Sequence, residues 1–155
     1  MKTARLILAA MTLVCATGAL AQDTSLDPNY GQVRLQSGFT PDPRVVAMRA
    51  GGDLNAQERA GANCRGFITN APDYRLVYEA GSLPLIISVD AGADTTLVVN
   101  APNSQFYCDD DGGEGNNPSI RFNTPQSSRY EIWVGTYSAG QSQPARLNIS
   151  EVSSR

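Results

Sequence analysis

The sequence predicts an all-β protein, folded as an antiparallel, jelly-roll-like β-sandwich in a single domain with one disulfide. Short runs rich in β-branched and aromatic residues recur along the chain, and each is closed by Gly, Pro, Asn or Asp. No segment shows the 3.6-residue periodicity of an amphipathic helix. About 130 residues follow the N-terminal apolar run, which is enough for one compact core.

The N-terminus has the layout of a secretory signal peptide. Lys2 and Arg5 form a basic start, and an apolar run and a small-residue cleavage site ending at Ala21 follow. A transmembrane anchor is disfavoured, because the apolar run is too short to cross about 30 Å of hydrocarbon. We therefore expect an exported protein, periplasmic or secreted, with a signal peptide at 1–21, a flexible lead-in at 22–30 and the β-sandwich domain at 31–155.

The first half of the predicted domain alternates between strands and loops. Gln32–Gln36 alternates apolar and polar residues, and Arg44–Ala50 follows a segment whose two prolines must lie outside a central strand. Ala50–Cys64 is loop-like, with one helical turn expected at Gln57–Ala60. Tyr74–Ala80 alternates cleanly, which predicts a strand with one buried face.

The second half contains more apolar strands. Leu83–Asp90 is apolar for long enough to be a strand buried on both faces, and Thr95–Ala101 is rich in β-branched residues. The remaining strands are expected at Ser104–Cys108, Ser119–Phe122, Arg129–Tyr137 and Ala145–Val152. Many short strands with turn residues between them favour a sandwich or a barrel.

Two cysteines, Cys64 and Cys108, remain once Cys15 is removed with the signal peptide. An even number of cysteines in an exported chain indicates a disulfide, which chain-entropy estimates value at on the order of 3–4 kcal/mol. The alternative, a thiol nucleophile, has no histidine to activate it. The bridge would brace the strand that leads into an acidic loop.

The absence of histidine, together with Lys2 as the only lysine, restricts the possible chemistry. It excludes a Ser-His-Asp triad, a Cys-His pair and, after export, a lysine nucleophile. A glycosidase-like carboxylate pair is left, but the sequence brings none of its candidates together: Asp73, Glu79, Asp90 and Glu131. We therefore expect no catalytic residues and no enzyme.

The net charge also restricts the partners. Loss of Lys2 and Arg5 with the signal peptide takes the formal charge from −3 to −5. An acidic chain with scattered arginines is a poor ligand for nucleic acid or anionic lipid. We expect neither nucleic-acid binding nor membrane insertion.

The acidic loop Asp109–Asn117 is the most unusual feature of the sequence. Clustered carboxylates repel one another, and calcium relieves this repulsion because it takes six to eight oxygen ligands. The predicted calcium ligands in the loop are Asp109, Asp110, Asp111, Glu114, Asn116 and Asn117. An empty polar loop remains the alternative, because neither the EF-hand pattern nor the glycine-rich nonapeptide of β-rolls fits fully.

The segment Thr95–Tyr137 resembles the bacterial pre-peptidase C-terminal domain. That family shows an apolar strand, an aromatic strand that runs into an NDD-like acidic loop, another apolar strand, and a turn before a final aromatic strand. Here Cys108–Asp111 stands at the acidic step, and Pro125–Tyr137 stands at the last one. Tyr74–Val99 extends the resemblance, whereas the first third of the chain matches little.

The resemblance implies a jelly-roll-like sandwich that often binds calcium at the acidic loop. Such domains usually accompany secreted enzymes as non-catalytic modules, and several bind polymers such as collagen or polysaccharide. Carried over to this chain, Asp109, Asp110 and Asp111 are expected as ligands, with Asp94 at the D-T-x-L step as a further one. The expected function is an accessory or binding module at the cell exterior, whose partner is a polymer or a protein.

Aromatic residues support an alternative function, a carbohydrate- or polymer-binding module that requires no metal. Tyr107, Tyr130 and Trp133 are the candidates for stacking against a ligand. Trp133 lies between Ile132 and Val134, so packing in the core is the favoured interpretation for this residue.

Overall fold

The computed structural model describes residues 21–154, which form two β-sheets and one short helix. The predicted signal peptide, including Cys15, lies outside the described residues except for Ala21. The elements are β1 (Gln32–Gln36), β2 (Arg44–Gly51), β3 (Leu54–Asn55), α1 (Ala56–Ala60), β4 (Phe67–Ile68), β5 (Tyr74–Glu79), β6 (Leu85–Ala91), β7 (Thr95–Asn100), β8 (Phe106–Asp109), β9 (Ser119–Phe122), β10 (Ser128–Thr136) and β11 (Ser142–Ser150).

The two sheets confirm the predicted all-β sandwich. The larger sheet has the order β1-β5-β10-β4-β3, with β7 on β10 and β8 on β7, and the smaller sheet has the order β2-β11-β6-β9. The pairs are antiparallel except β1 with β5, which run parallel in the register Gln32 to Arg75. Among residues 21–154, this parallel pair is the one departure from the predicted antiparallel arrangement.

The main core lies between the two sheets. In β5 the alternation expected from the sequence buries Tyr74, Leu76 and Tyr78, which face the opposite sheet. In β6 every residue from Leu85 to Val89 is buried, as predicted for a strand covered on both faces. Full burial of apolar side chains of this size contributes about 1.5–3 kcal/mol each, so this layer dominates the stability of the sandwich.

A second, smaller cluster lies outside the main core. Its buried members are Ala56, Cys64, Ile68, Val98 and Trp133. Helix α1 begins here because the Asn55 side chain caps it, accepting a hydrogen bond from the Gln57 N–H at 2.9 Å. The predicted helical turn at Gln57–Ala60 is confirmed, with one further residue at its start.

The predicted lead-in lies against one side of the sandwich. The Gln22 N–H donates to the Arg59 carbonyl at 3.1 Å, and the Gln22 side chain donates to the Thr69 carbonyl at 2.7 Å. At its other end, the Tyr30 N–H donates to the Asp73 carbonyl at 2.8 Å. These bonds hold the segment beside α1 and the connection from β4 to β5.

Candidate functional site

The acidic loop connects β8 in the larger sheet to β9 in the smaller one, so it closes one side of the sandwich. It turns around Asp109, whose Oδ2 atom accepts hydrogen bonds from the N–H groups of Gly112 at 2.7 Å and Ser119 at 2.8 Å. A Cβ atom at Gly112 would lie 2.5 Å from that oxygen. A side chain at position 112 would therefore have to displace the Asp109 carboxylate from the loop.

Asn117 attaches the loop to the turn between β6 and β7. Its Oδ1 atom accepts from the Thr95 hydroxyl at 3.1 Å, and its Nδ2 atom donates to the Ala91 carbonyl at 3.1 Å. Its backbone carbonyl also accepts from the Gly113 N–H at 2.8 Å. Asn117 thus organises both the loop and its contact with the neighbouring turn.

This attachment brings Asp94, at the β6–β7 turn, close to two carboxylates of the acidic loop. The pKa of Asp94 is raised, first by partial burial and then by the negative charges of Asp111 and Asp110. Asp94 and Asp111 are exposed and Asp110 is half-buried. Asp94 therefore shares one region of negative potential with two predicted ligands from a different loop, Asp110 and Asp111.

The other predicted ligands divide into two groups. Asp109 and Asn117 use side-chain oxygens to hold the loop itself, whereas Glu114 and Asn116 are exposed on its outer part. Among residues 21–154, no three or more His, Cys, Asp or Glu side chains are arranged as a metal-binding group. The exposed oxygen donors have the chemistry that a hard cation prefers. Calcium at this loop stays a prediction.

The predicted disulfide is confirmed. Cys64 and Cys108 are bonded, with Cα atoms 5.1 Å apart and a sequence separation of 44. Cys108 is the residue before Asp109, so the bridge ties the base of the acidic loop to the segment that follows α1. The larger sheet, the helix and the loop are therefore held together at one point.

The three candidate stacking residues differ in exposure. Trp133 is fully buried in the second cluster, which confirms its interpretation as core packing and leaves no ring face for a ligand. Tyr130 is 1% exposed, whereas Tyr107 is 37% exposed. Phe122 packs edge-to-face against both tyrosines, with centroids 5.0 Å from Tyr107 and 5.4 Å from Tyr130.

A cavity of about 230 Å³ adjoins these rings, and sequence reasoning missed most of its lining. Asn103 from the β7–β8 turn and both Thr124 and Gln126 from the β9–β10 connection contribute to it. The turn residues around Asn103 were recognisable in the sequence. Their proximity to Thr124 and Gln126 was not, because it depends on how the two sheets meet.

Buried carboxylates form a separate group that the sequence did not distinguish. Asp73 accepts hydrogen bonds from the Val134 N–H at 2.8 Å and the Asn29 side chain at 3.0 Å. Burial raises the pKa of Asp73 to about 6 despite these bonds. Glu131 accepts from Arg75 at 2.6 Å and from Arg129 at 2.9 Å. Both acids are thus engaged in holding strands together.

No curated protein matches the sequence significantly. One solved structure to which the chain is similar is that of Aeromonas hydrophila PliG, a periplasmic lysozyme inhibitor of g-type lysozyme. It shares 18% sequence identity at a TM-score of 0.43, over 81% of this chain and 98% of that chain.

The part of the chain that the structure describes has no helix of the length and apolar character needed to cross a membrane.

The family model of the bacterial pre-peptidase C-terminal domain matches residues 73–136, a range that includes β5 to β10 and the acidic loop. The resemblance to the bacterial pre-peptidase C-terminal domain is therefore confirmed over residues 73–136.

Proposed function

We propose that this chain is an exported, non-catalytic β-sandwich module that is stabilised by calcium at the acidic loop. It acts as an accessory or binding protein at the cell exterior, towards a polymer or a protein. The observation that carries the calcium proposal is the repulsion between Asp94 and the charges of Asp111 and Asp110, which adds to partial burial in raising the pKa of Asp94. A divalent cation there would replace repulsion among three carboxylates by attraction to each of them.

Export is supported by the disulfide between Cys64 and Cys108, because such bonds persist in oxidising compartments. The signal-peptide pattern at 1–21 supports the same location. A non-catalytic role is supported by the lack of histidine in the sequence and by the match of residues 73–136 to the pre-peptidase C-terminal domain. The carboxylates Asp73 and Glu131 are occupied by hydrogen bonds and ion pairs.

The calcium proposal is tested by calorimetry on the chain purified after export, in calcium chloride, in magnesium chloride and in chelator. A ligand that binds only the folded state at 100 times its Kd adds about 2.7 kcal/mol of stability. For a domain of this size, this gain raises Tm by on the order of 10 °C. We expect the rise with calcium, and a smaller one with magnesium, which demands a more rigid octahedral site.

The double substitution Asp110→Ala with Asp111→Ala is expected to abolish the calcium-dependent rise. Its matched control is Asp23→Ala with Asp27→Ala, which removes the same charge from two exposed positions of the lead-in. The control should keep the rise. An equal Tm in calcium and in chelator for the unmodified chain would remove the metal from the proposal.

A second candidate function is a carbohydrate- or polymer-binding module without a required metal. The specific observation in its favour is the exposed ring of Tyr107, which borders the cavity beside Phe122 and Tyr130. Pull-down with insoluble polysaccharides in the presence of chelator tests it, and retention on at least one of them is expected.

A further inference from the structure

The edges of the two sheets meet at a ring cluster beside a cavity. Tyr107 extends from β8, at the edge of the larger sheet, and Phe122 extends from β9, at the edge of the smaller one. The cavity between them measures about 230 Å³. This is below the range of about 300–1,000 Å³ typical of sites that enclose a drug-sized ligand. The cavity is therefore suited to one small ring of a longer molecule.

The walls of the cavity are held in place by their own contacts. The Tyr130 hydroxyl accepts from the Gln126 N–H at 3.0 Å and donates to the Gln126 carbonyl at 2.9 Å. The Tyr107 hydroxyl accepts from the Asn103 side chain at 2.9 Å. Phe122 is fixed between the two tyrosine rings. A ligand entering this cavity would have little to reorganise, which favours affinity.

The chemistry of the lining selects a neutral, hydroxyl-rich ligand. Among the residues that the structure describes, no charged side chain borders the cavity. A partly exposed aromatic ring from Tyr107 offers an apolar surface. Asn103, Thr124 and Gln126 are exposed around it and carry both hydrogen-bond donors and acceptors. A neutral sugar ring matches this lining, because it combines apolar C–H faces with hydroxyl groups along its edge.

We propose that the cavity formed by Asn103, Tyr107, Phe122, Thr124 and Gln126 binds one neutral pyranose unit of a saccharide. The proposal rests on the second candidate function, whose ligand class and contact residues it specifies, and it requires no calcium. A proline-rich peptide is the disfavoured ligand. Recognition of such a peptide uses aromatic-lined grooves, whereas here two of the three rings are packed edge-to-face beneath the third.

The first experiment presents the exported chain, in chelator and again in calcium, with soluble hexasaccharides. The neutral probes are β-1,4-linked glucose, xylose, mannose and N-acetylglucosamine, and the comparators are oligogalacturonate and a decaproline peptide. We expect at least one neutral hexasaccharide to bind better than both comparators in either condition. Absence of binding to all neutral probes, or preference for either comparator, would overturn the proposal.

Substitutions then locate the site by titration calorimetry with the best neutral probe. Tyr107→Ala should weaken binding by about tenfold, as expected for loss of an aromatic anchor. Thr124→Val, which removes a hydroxyl while keeping the volume, should weaken it severalfold. Tyr137→Ala is the matched control, because Tyr137 is 47% exposed and lies outside the cavity lining, and it should leave the affinity unchanged.

The variants also separate this proposal from the broader functions. Saccharide binding that survives both Tyr107→Ala and Thr124→Val would keep the second candidate function and overturn this site. If the chain binds saccharide but its Tm is the same in calcium and in chelator, the calcium proposal is overturned and this site is kept. A melting curve for each variant shows that a loss of affinity does not reflect a loss of folding.

Discussion

Buried and exposed carboxylates of this protein differ in what balances their charge. Glu131, at 1% exposure, receives hydrogen bonds from two arginines, and the buried Asp73 receives them from a backbone N–H and two polar side chains. At the acidic loop, Asp94 instead faces the like charges of Asp110 and Asp111. The chain supplies partners to the first group and repulsion to the second.

This difference separates acids that hold the fold from acids available for a ligand. A buried charge without a partner costs several kcal/mol, so the acids inside the sandwich must be matched by the chain itself. Exposed charges are screened by water, so the fold can tolerate repulsion at the loop at small cost. Removing an acid should therefore destabilise the protein in the first region and stabilise the metal-free protein in the second.

The largest effect is expected at the ion cluster on the larger sheet. Glu131→Gln keeps the volume of the side chain but leaves Arg75, whose side chain is 11% exposed, without its carboxylate. Breaking a buried pair in this way costs about 3–5 kcal/mol. Urea unfolding at pH 7 measures the loss of stability, with an unchanged m-value showing that the unfolded state is unaffected.

Arg129→Gln is the matched control for this cluster. The Arg129 side chain is 49% exposed, although its Nε atom lies 2.9 Å from the same Glu131 oxygen. Water screens the exposed Arg129 end of this pair, and Glu131 keeps its contact with Arg75, so the control should lose less than about 1 kcal/mol. Equal losses in the two variants would show that burial does not determine the strength of these pairs.

The next effect is the pH dependence contributed by Asp73. Its pKa is about 6 in the folded protein against 3.8 in the reference state, so the folded protein binds this proton more tightly. The stability that the proton contributes is fully present below pH 3.8 and is lost as the pH rises through 6. The full difference is about 3 kcal/mol at 1.36 kcal/mol per pH unit.

Asp73→Asn removes this titration. From pH 4 to pH 7 the unfolding free energy of the unmodified protein should fall by about 2 kcal/mol relative to that of Asp73→Asn, because part of the full difference is already lost at pH 4. Urea titrations at four pH values measure it, and taking the difference cancels other titrating groups. Asp53→Asn is the control, because Asp53 is an exposed acid that lines a cavity of about 370 Å³ together with Asp73. A pH-independent difference for Asp73→Asn would contradict the argument.

Elements with a local pattern were predictable from the sequence. The alternation of β5 and the continuous apolar run of β6 show which faces are buried, and both are observed. The short strands β3 and β4 were not predicted, because two residues cannot show an alternation. The parallel pairing of β1 with β5 has no local signal either, since it is decided by contacts between residues such as Gln32 and Arg75, which are distant in the sequence.

At the acidic loop, composition predicted the region but not the role of each side chain. Six candidate ligands followed from residue type alone. Asp109 and Asn117 are in part committed to the loop and its neighbouring turn, through Ser119 and Thr95. These partners are set by the backbone path, which residue types do not reveal. The burial of Asp73 and Glu131 was not predicted for the same reason, because Asp73 obtains its hydrogen bonds from three separate segments.

The smallest effect, with the opposite sign, is expected at Asp94. Asp94→Asn removes a carboxylate whose pKa is raised first by partial burial and then by Asp111 and Asp110. In chelator at pH 7 the variant should be slightly more stable than the unmodified protein, by less than about 1 kcal/mol. Added salt should reduce this gain, because screening weakens repulsion between exposed charges.

The sign of the Asp94→Asn effect should reverse in calcium. If Asp94 is a ligand, the variant forfeits part of the calcium-dependent rise in Tm, so the unmodified protein becomes the more stable of the two. Asp27→Asn, at an exposed acid of the lead-in, controls for the change in net charge and should show no reversal. A stability loss in chelator as large as that of Glu131→Gln would instead place Asp94 among the acids that hold the fold.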